Sequence, residues 1–307
     1  MDNMMPAGKD SDIVFATHGL SRSYGMVNAV NDLTVSVRRG SIGLLGPNGA
    51  GKSTFIKMLM GLVRPTGGSF KMSAMPGSGT YLDKVGYMPE HDCLPNDMTA
   101  VGLVSYMGKL SGLPSEVSME RTHEILDFVG MDESRYRKIK GFSTGMKQKV
   151  KLCQSMVHDP DLVFFDEPTN GLDPEGRREM LDLIRDIAKT GKTIVLSTHL
   201  LPDVEYVCDD VMIMNNGELI LYDSLANTLG SRNLAVRVRG DQERFIDHMR
   251  NMGFGVTTSG PNIIIEGGAS SSDVFVSARA SDVQIRYISY HSRTLEDIFL
   301  KLVGGGG

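Results

Sequence analysis

The chain has 307 residues, 41% hydrophobic and 22% charged, with a formal net charge of −5. That length suits about two domains, and the apolar share suffices for a sizeable core in a soluble protein. The acidic balance argues against a nucleic-acid binder, and no apolar run approaches the roughly 20 residues of a membrane-spanning helix.

In chain order, residues 1–11 read as a disordered lead-in with no apolar stretch like a secretion signal. Ile13 to Ala16 and Leu33 to Val37 have strand patterns. Ile42 to Leu45 is an apolar strand candidate, Gly46 to Thr54 a glycine-rich loop, and Thr54 to Val63 a helical pattern. Thr66-Gly67-Gly68 breaks that helix, and Ser69 to Met72 and Val85 to Tyr87 are short strands. From about Thr99 to Gln154 the spacing turns helical, with Ile125, Leu126, Phe128 and Val129 crowding one side. Leu162 to Phe165 and Thr193 to Leu196 read as strands buried on both faces of a parallel sheet. Between them Asp173-Pro174 opens a helix with Met180, Leu183, Ile184 and Ile187 on one stripe. Val211 to Met214 and Leu219 to Tyr222 flank an Asn215-Asn216-Gly217 turn, the pattern of a hairpin.

The chain turns polar around Ser224 to Asn233, and a second unit begins there. Its order is strand, helix, strand, strand, helix, strand: Leu234 to Val238, Asp241 to Met252, Phe254 to Thr258, Ile263 to Glu266, Asp273 to Ala280 and Val283 to Ser289. That is a split βαβ, ferredoxin-like arrangement, followed by a helix from Thr294 to Val303 and a flexible glycine tail over Gly304 to Gly307. Cys93, Cys153 and Cys208 lie far apart with no C-x-x-C pair, which fits buried free thiols in a reducing compartment.

The chemistry starts at Gly46-Pro47-Asn48-Gly49-Ala50-Gly51-Lys52-Ser53-Thr54, a complete G-x-x-x-x-G-K-S phosphate loop between a strand and a helix. Its glycines let backbone N–H groups face phosphate oxygens at a helix N-terminus. Lys52 is placed for the β- and γ-phosphates and Ser53 for Mg²⁺, so the chain is expected to bind a nucleoside triphosphate. Leu162 to Phe165 ends in Asp166-Glu167. Asp166 is the second candidate for Mg²⁺, and Glu167 is placed to orient and deprotonate the attacking water.

Further segments, most of them within about residues 12–225, resemble those of ATP-binding-cassette (ABC) ATPases. Phe142-Ser143-Thr144-Gly145-Met146-Lys147-Gln148 is similar to the family signature, with Thr144 in place of a glycine, a variant like that of type-two exporters. Asn170-Gly171-Leu172-Asp173 resembles the D-loop, although Asp173 also serves as a plain helix cap. His199 matches the switch histidine. Tyr24 matches the aromatic that stacks on adenine, unless it is simply an exposed loop tyrosine. Val85-Gly86-Tyr87-Met88-Pro89-Glu90 resembles the Q-loop with Glu90 where glutamine is usual; a carboxylate there can face Mg²⁺ but donates no amide hydrogen bond. Ser292 to Leu300 looks like the end of exporter-type subunits.

The resemblance implies an α/β fold: a P-loop NTPase core with a mostly parallel sheet, antiparallel N-terminal strands and an inserted helical subdomain at about 95–157, plus a small α+β accessory domain at 226–303. It implies ATP and Mg²⁺ as ligands, with Lys52, Glu167 and His199 catalytic. It also implies a partner subunit, expected to be an identical copy, whose Ser143 and Gly145 close each ATP site. A separate membrane permease completes the expected assembly, placing this chain in the cytoplasm on the inner face of the membrane with no nucleic-acid partner. The alternative is a soluble ABC ATPase with a non-transport role.

Overall fold

The computed structural model describes residues 12–73, 80–91, 94–229, 233–291 and 294–303. The expected lead-in, Cys93, Ser292, Arg293 and the glycine tail lie outside the described residues. The chain divides into two compact units, Met1–Tyr222 and Asp223–Gly307.

The first unit opens with β1 (Ile13–Tyr24) and β2 (Val27–Arg38), both much longer than their apolar cores suggested. Pairing Tyr24 with Val27 around the Gly25 turn carries the ladder out through the polar residues. Next come β3 (Ser41–Leu45) and α1 (Lys52–Leu59). The helix begins and ends earlier than the expected Thr54 to Val63. Gly61, at φ 69°, lets the N–H of Leu62 reach the C=O of Lys57 at 2.9 Å and the N–H of Gly61 reach Met58 at 3.0 Å, a Schellman stop. Gly67 and Gly68 then begin β4 (Gly67–Met72), which pairs with β1 in a three-stranded antiparallel sheet of order β2-β1-β4.

After β5 (Val85–Met88) the helical block follows as α2 (Ala100–Leu110), α3 (Ser115–Phe128) and α4 (Thr144–Met156). The stripe expected around Leu126 is narrower in the fold. Leu126 and Val129 are buried, whereas Phe128, at the end of α3, is 42% exposed. The main sheet then takes β6 (Leu162–Asp166), and α5 (Pro174–Lys189) buries Met180, Leu181, Ile184 and Ile187. Leu181 fills the stripe beside Met180, and Leu183, expected there, is only half-buried. β7 (Thr193–Thr198), α6 (Leu201–Val207), β8 (Asp210–Asn215) and β9 (Glu218–Ser224) complete the unit. The turn between the last two strands has Asn216 at φ 49° and Gly217 at φ 82°, as a type I′ hairpin requires. α6 had no sequence expectation, because its seven residues are too few to show a period.

The six-stranded sheet has the order β5-β6-β7-β3-β8-β9, and the pairs from β5 to β8 are parallel. Every residue of β3, β6 and β7 is buried, because layers cover both faces. Phe15 of β1 lies 6.1 Å from Phe55 of α1 and 6.4 Å from Phe164 of β6, tying the smaller sheet, the helix and the main sheet into one core. Register decides where the strands end. Leu45 pairs with Thr198, and Asp166 pairs with Ser197, so β3, β6 and β7 finish level at one edge.

The second unit contains α7 (Leu225–Leu229), a short helix within the stretch that read only as polar. It continues with β10 (Asn233–Arg239), α8 (Gln242–Asn251), β11 (Gly255–Ser259), β12 (Asn262–Glu266), α9 (Ser271–Ala280), β13 (Gln284–His291) and α10 (Leu295–Val303). The four strands form an antiparallel sheet of order β11-β12-β10-β13, in which the first and third pair at the centre. Leu234, Val236, Ile263 and Ile265 meet Phe245 and Met249 of α8 and Val274 of α9 in a core of its own. Ser270 and Asp273 form a capping box that starts α9 two residues before the expected Asp273.

Candidate nucleotide site

The level strand ends bring three segments together. From β3 comes the loop Gly46 to Gly51. Gly49 and Gly51 have φ of 85° and 101°, and Gly51 is the N-cap of α1. The loop is seated on backbone: Gly217 N donates to Ala50 O at 3.1 Å, and a Cβ on Gly46 would lie 2.4 Å from Met214 O. Pro47 and Asn48 form the tip, where Ala50 N donates to Pro47 O at 3.1 Å. Thr54 follows in the first turn of α1.

Lys52 is 6% exposed. Its Nζ donates to Gly46 O at 2.6 Å and Pro47 O at 3.3 Å, and lies 3.7 Å from Glu167 Oε1. Burial pulls its pKa below the ordinary 10.5, against the opposing pull of Glu167, Asp166 and Glu90. The ammonium thus spans the mouth of the loop on carbonyl oxygens, where phosphate oxygens offer it stronger, charged acceptors.

From β6 come Asp166 and Glu167. Asp166 is 2% exposed and surrounded by hydroxyl donors: Ser53 Oγ at 3.2 Å and Ser197 Oγ at 2.9 Å to Oδ1, and Tyr87 OH at 3.5 Å to Oδ2. Glu167 stands at φ 49°, a left-handed conformation that costs a non-glycine residue about 1–2 kcal/mol. Its N–H donates to Ser197 O at 2.9 Å, and the turn throws its carboxylate between Lys52 and His199. His199 directly follows β7, and its Nδ1 lies 3.0 Å from Glu167 Oε2. That pair is a hydrogen bond when Nδ1 carries the proton.

Ser53 and Asp166 offer only oxygen atoms, the donor type that suits Mg²⁺. Among the described residues no cluster of three or more His, Cys, Asp or Glu side chains is set to hold a metal, so a cation here needs oxygens from the nucleotide as well.

The remaining expected residues are placed as follows. Glu90 follows β5; its Oε1 accepts from Asn170 Nδ2 at 3.3 Å and its backbone O accepts from Lys151 Nζ at 2.8 Å. The first contact joins the end of the β5 strand to the segment before Asp173. Ser143 caps α4, accepting from Met146 N at 3.3 Å. A Cβ on Gly145 would point at Leu172 at 3.8 Å, and Gln148 Nε2 donates to Asn170 O at 3.2 Å, so the helix start and the Asn170 to Asp173 loop pack together. Asp173 caps α5 through Gly176 N at 2.9 Å. Tyr24, at the tip of the β1–β2 hairpin, is 46% exposed, and the Arg22 guanidinium covers one face of its ring at 4.5 Å. Sequence reasoning missed Ser197 as a partner of Asp166, and Asn170 as a partner of Glu90. The Ser-Thr-His run at the end of a buried strand was the available signal for Ser197.

A protein-family model described as ABC transporter matches residues 30–170. The chain is 40% identical over 207 residues to the ABC transporter ATP-binding protein YxlF of Bacillus subtilis, covering 67% of this chain and 69% of that protein. It is 30% identical over 312 residues to the Nod factor export ATP-binding protein I of Ralstonia nicotianae, covering 97% and 96%. A solved structure described as the ATP binding subunit of an ABC transporter superposes with a TM-score of 0.62 at 28% identity, covering 86% of this chain and 98% of that one.

Proposed function

The chain belongs to the ABC transporter family, and from that premise we propose that it is the ATP-hydrolysing subunit of an exporter. In this reading, which rests on the family, it works on the inner face of the membrane with a separate permease; no described helix is long and apolar enough to cross a membrane. The cassette expected over 12–225 corresponds to the first unit, which ends at Tyr222, with its helical subdomain at about 95–157, and the accessory domain expected over 226–303 to the second unit, which begins at Asp223. Export-type relatives support this reading over a non-transport ATPase.

One observation carries the chemistry: Lys52, Asp166, Glu167 and His199 converge from three strand ends, linked by Ser53, Ser197 and the Lys52–Glu167–His199 contacts. In the proposed mechanism, the backbone amides from Asn48 to Thr54 hold the β- and γ-phosphates, and Lys52 leaves its carbonyls for their oxygens. Ser53 and Asp166 would hold Mg²⁺, which when bound neutralises charge on the phosphate oxygens. Glu90 would face that cation or its water. Glu167 accepts a proton from the attacking water on a carboxylate oxygen while His199 fixes that carboxylate from its other side. Tyr24 offers its free face to adenine, backed by Arg22.

Two copies face head to tail, Ser143 and Gly145 of each closing over the nucleotide of the other while Asp173 links the two sites. Dimerisation on ATP and separation after hydrolysis drive the permease. Glu167→Gln tests this: it keeps ATP binding, loses turnover by about 10²–10⁴-fold, and accumulates an ATP-bound dimer. The measurement is phosphate release beside light-scattering mass with and without ATP. A mutant that stays monomeric under saturating ATP defeats the shared-site reading.

A further inference from the structure

Asp203, in α6, is 1% exposed and has no part in the mechanism above. Its Oδ2 accepts from Thr169 Oγ1 at 2.9 Å; its Oδ1 accepts from Arg177 Nε at 2.7 Å and lies 2.5 Å from Arg177 Nη2. A carboxylate this deeply buried needs such compensation. An ion pair of this kind seldom outdoes apolar packing in stability, but two guanidinium nitrogens converging on Oδ1 while Thr169 takes Oδ2 leave the carboxylate little freedom to turn.

Asp203 and its two partners belong to three segments of the site. Thr169, itself 4% exposed, lies just beyond Glu167, across a turn closed by Asn170 N to Glu167 O at 3.1 Å. Asp203 lies one turn beyond His199, and the chain between them is pinned by Leu200 N to Thr198 Oγ1 at 3.1 Å and Asp203 N to Leu200 O at 3.1 Å. Arg177 sits in the first turn of α5, where its N–H donates to the C=O of Asp173 at 2.9 Å. Following the chain from Glu167 to Thr169, across to Asp203, back to His199 and across to Glu167 closes a ring. The His199–Glu167 contact is one side of that ring, and the Thr169–Asp203 bond is the other.

We propose that Asp203 is a positioning residue for hydrolysis. Through Thr169 it holds His199 against Glu167, and through Arg177 it joins both to the start of α5 at Asp173. The proposal rests on the hydrolytic reading of Glu167. Its consequence is that the water-activating geometry and the Asp173 loop move as one body.

The test uses the purified full chain, with Thr169→Val and Thr169→Ser. Valine removes the hydroxyl donor at constant shape and leaves the Asp203–Arg177 pair intact, so the fold is retained. Thr169→Val is expected to lower kcat by about tenfold or more, since misplacing a reacting group by ~1 Å costs on the order of 10²-fold. The KM for ATP stays within about threefold, and Thr169→Ser recovers most of the lost turnover. A Thr169→Val kcat within threefold of wild type overturns the proposal. So does a loss that serine does not recover, or one carried by KM in place of kcat. Glu167→Gln run alongside separates the two levels: if it turns over normally the hydrolytic reading fails, whereas a dead Glu167→Gln beside an active Thr169→Val removes only the positioning role.

Discussion

Gly51→Ala is the sharpest perturbation of the phosphate loop, and Gly49→Ala is its internal control. Gly51 stands at φ 101°, and a Cβ built on it lies 2.1 Å from the backbone O of Ala29 in β2 and 3.5 Å from Gly217 Cα. Gly49 stands at φ 85° with open space around its Cβ position. Both substitutions incur the backbone cost of a positive φ, about 1–2 kcal/mol. Only Gly51→Ala must also move one backbone away from another, by roughly 1 Å to reach ordinary carbon–oxygen contact. Neither side yields easily. Asn31 N donates to Gly217 O at 2.8 Å and Gly217 N donates to Ala50 O at 3.1 Å, so β2, the hairpin turn and the loop are stitched together. Overpacking of this kind adds about 1–3 kcal/mol. The sum, about 2–5 kcal/mol, corresponds to a fall in Tm of roughly 4–20 °C for a unit of this size, against about 2–8 °C for Gly49→Ala. The displacement also carries Lys52, the next residue, away from the phosphates, with an expected loss of about 10²-fold in ATP affinity. Differential scanning calorimetry of the nucleotide-free proteins and calorimetric ATP titration give both numbers. Equal Tm values for the two alanine variants, or wild-type ATP affinity in Gly51→Ala, would refute the argument.

Two further outcomes follow from burial. Lys52 binds its proton less tightly in the folded chain than in the unfolded one, where the value is 10.5, so the folded state loses that proton first and stability gains a rising contribution as pH climbs toward 10.5. Lys52→Met abolishes hydrolysis and removes that contribution, so the difference in unfolding free energy between mutant and wild type changes across pH 8 to 10.5; a pH-independent difference contradicts it. Burial also pushes the Cys153 and Cys208 thiols upward. Mass-resolved alkylation at pH 8 should leave both unmodified in the native chain and label both in denaturant, and rapid native labelling of either would be inconsistent with its burial.

Much of the site could be read from one dimension because its chemistry is local. Gly46 to Thr54 must curl and then start a helix, and residue types alone specify that: glycine for positive φ, lysine and serine for phosphate and cation. Asp166-Glu167 after four apolar residues and Asp173-Pro174 at a helix start are local in the same sense. From β10 onward, the order of strands and helices in the second unit could also be listed from pattern alone.

What the fold alone decided are relations between distant segments. Ser197 meets Asp166 because β6 and β7 pair in a particular register across 31 residues, and no spacing along the chain encodes that register. Glu90 meets Asn170 across 80 residues, and Asp203 joins Thr169 and Arg177 from a helix too short to leave a period. Even Gly51, whose turn was legible, owes its intolerance of a methyl group to Ala29 O, which strand pairing and the hairpin at Gly217 press against the loop. Local propensity and loop chemistry are short-range and survive in a linear reading. Which buried groups become partners depends on sheet register and on layers closing over both faces, and those exist only once the chain has packed.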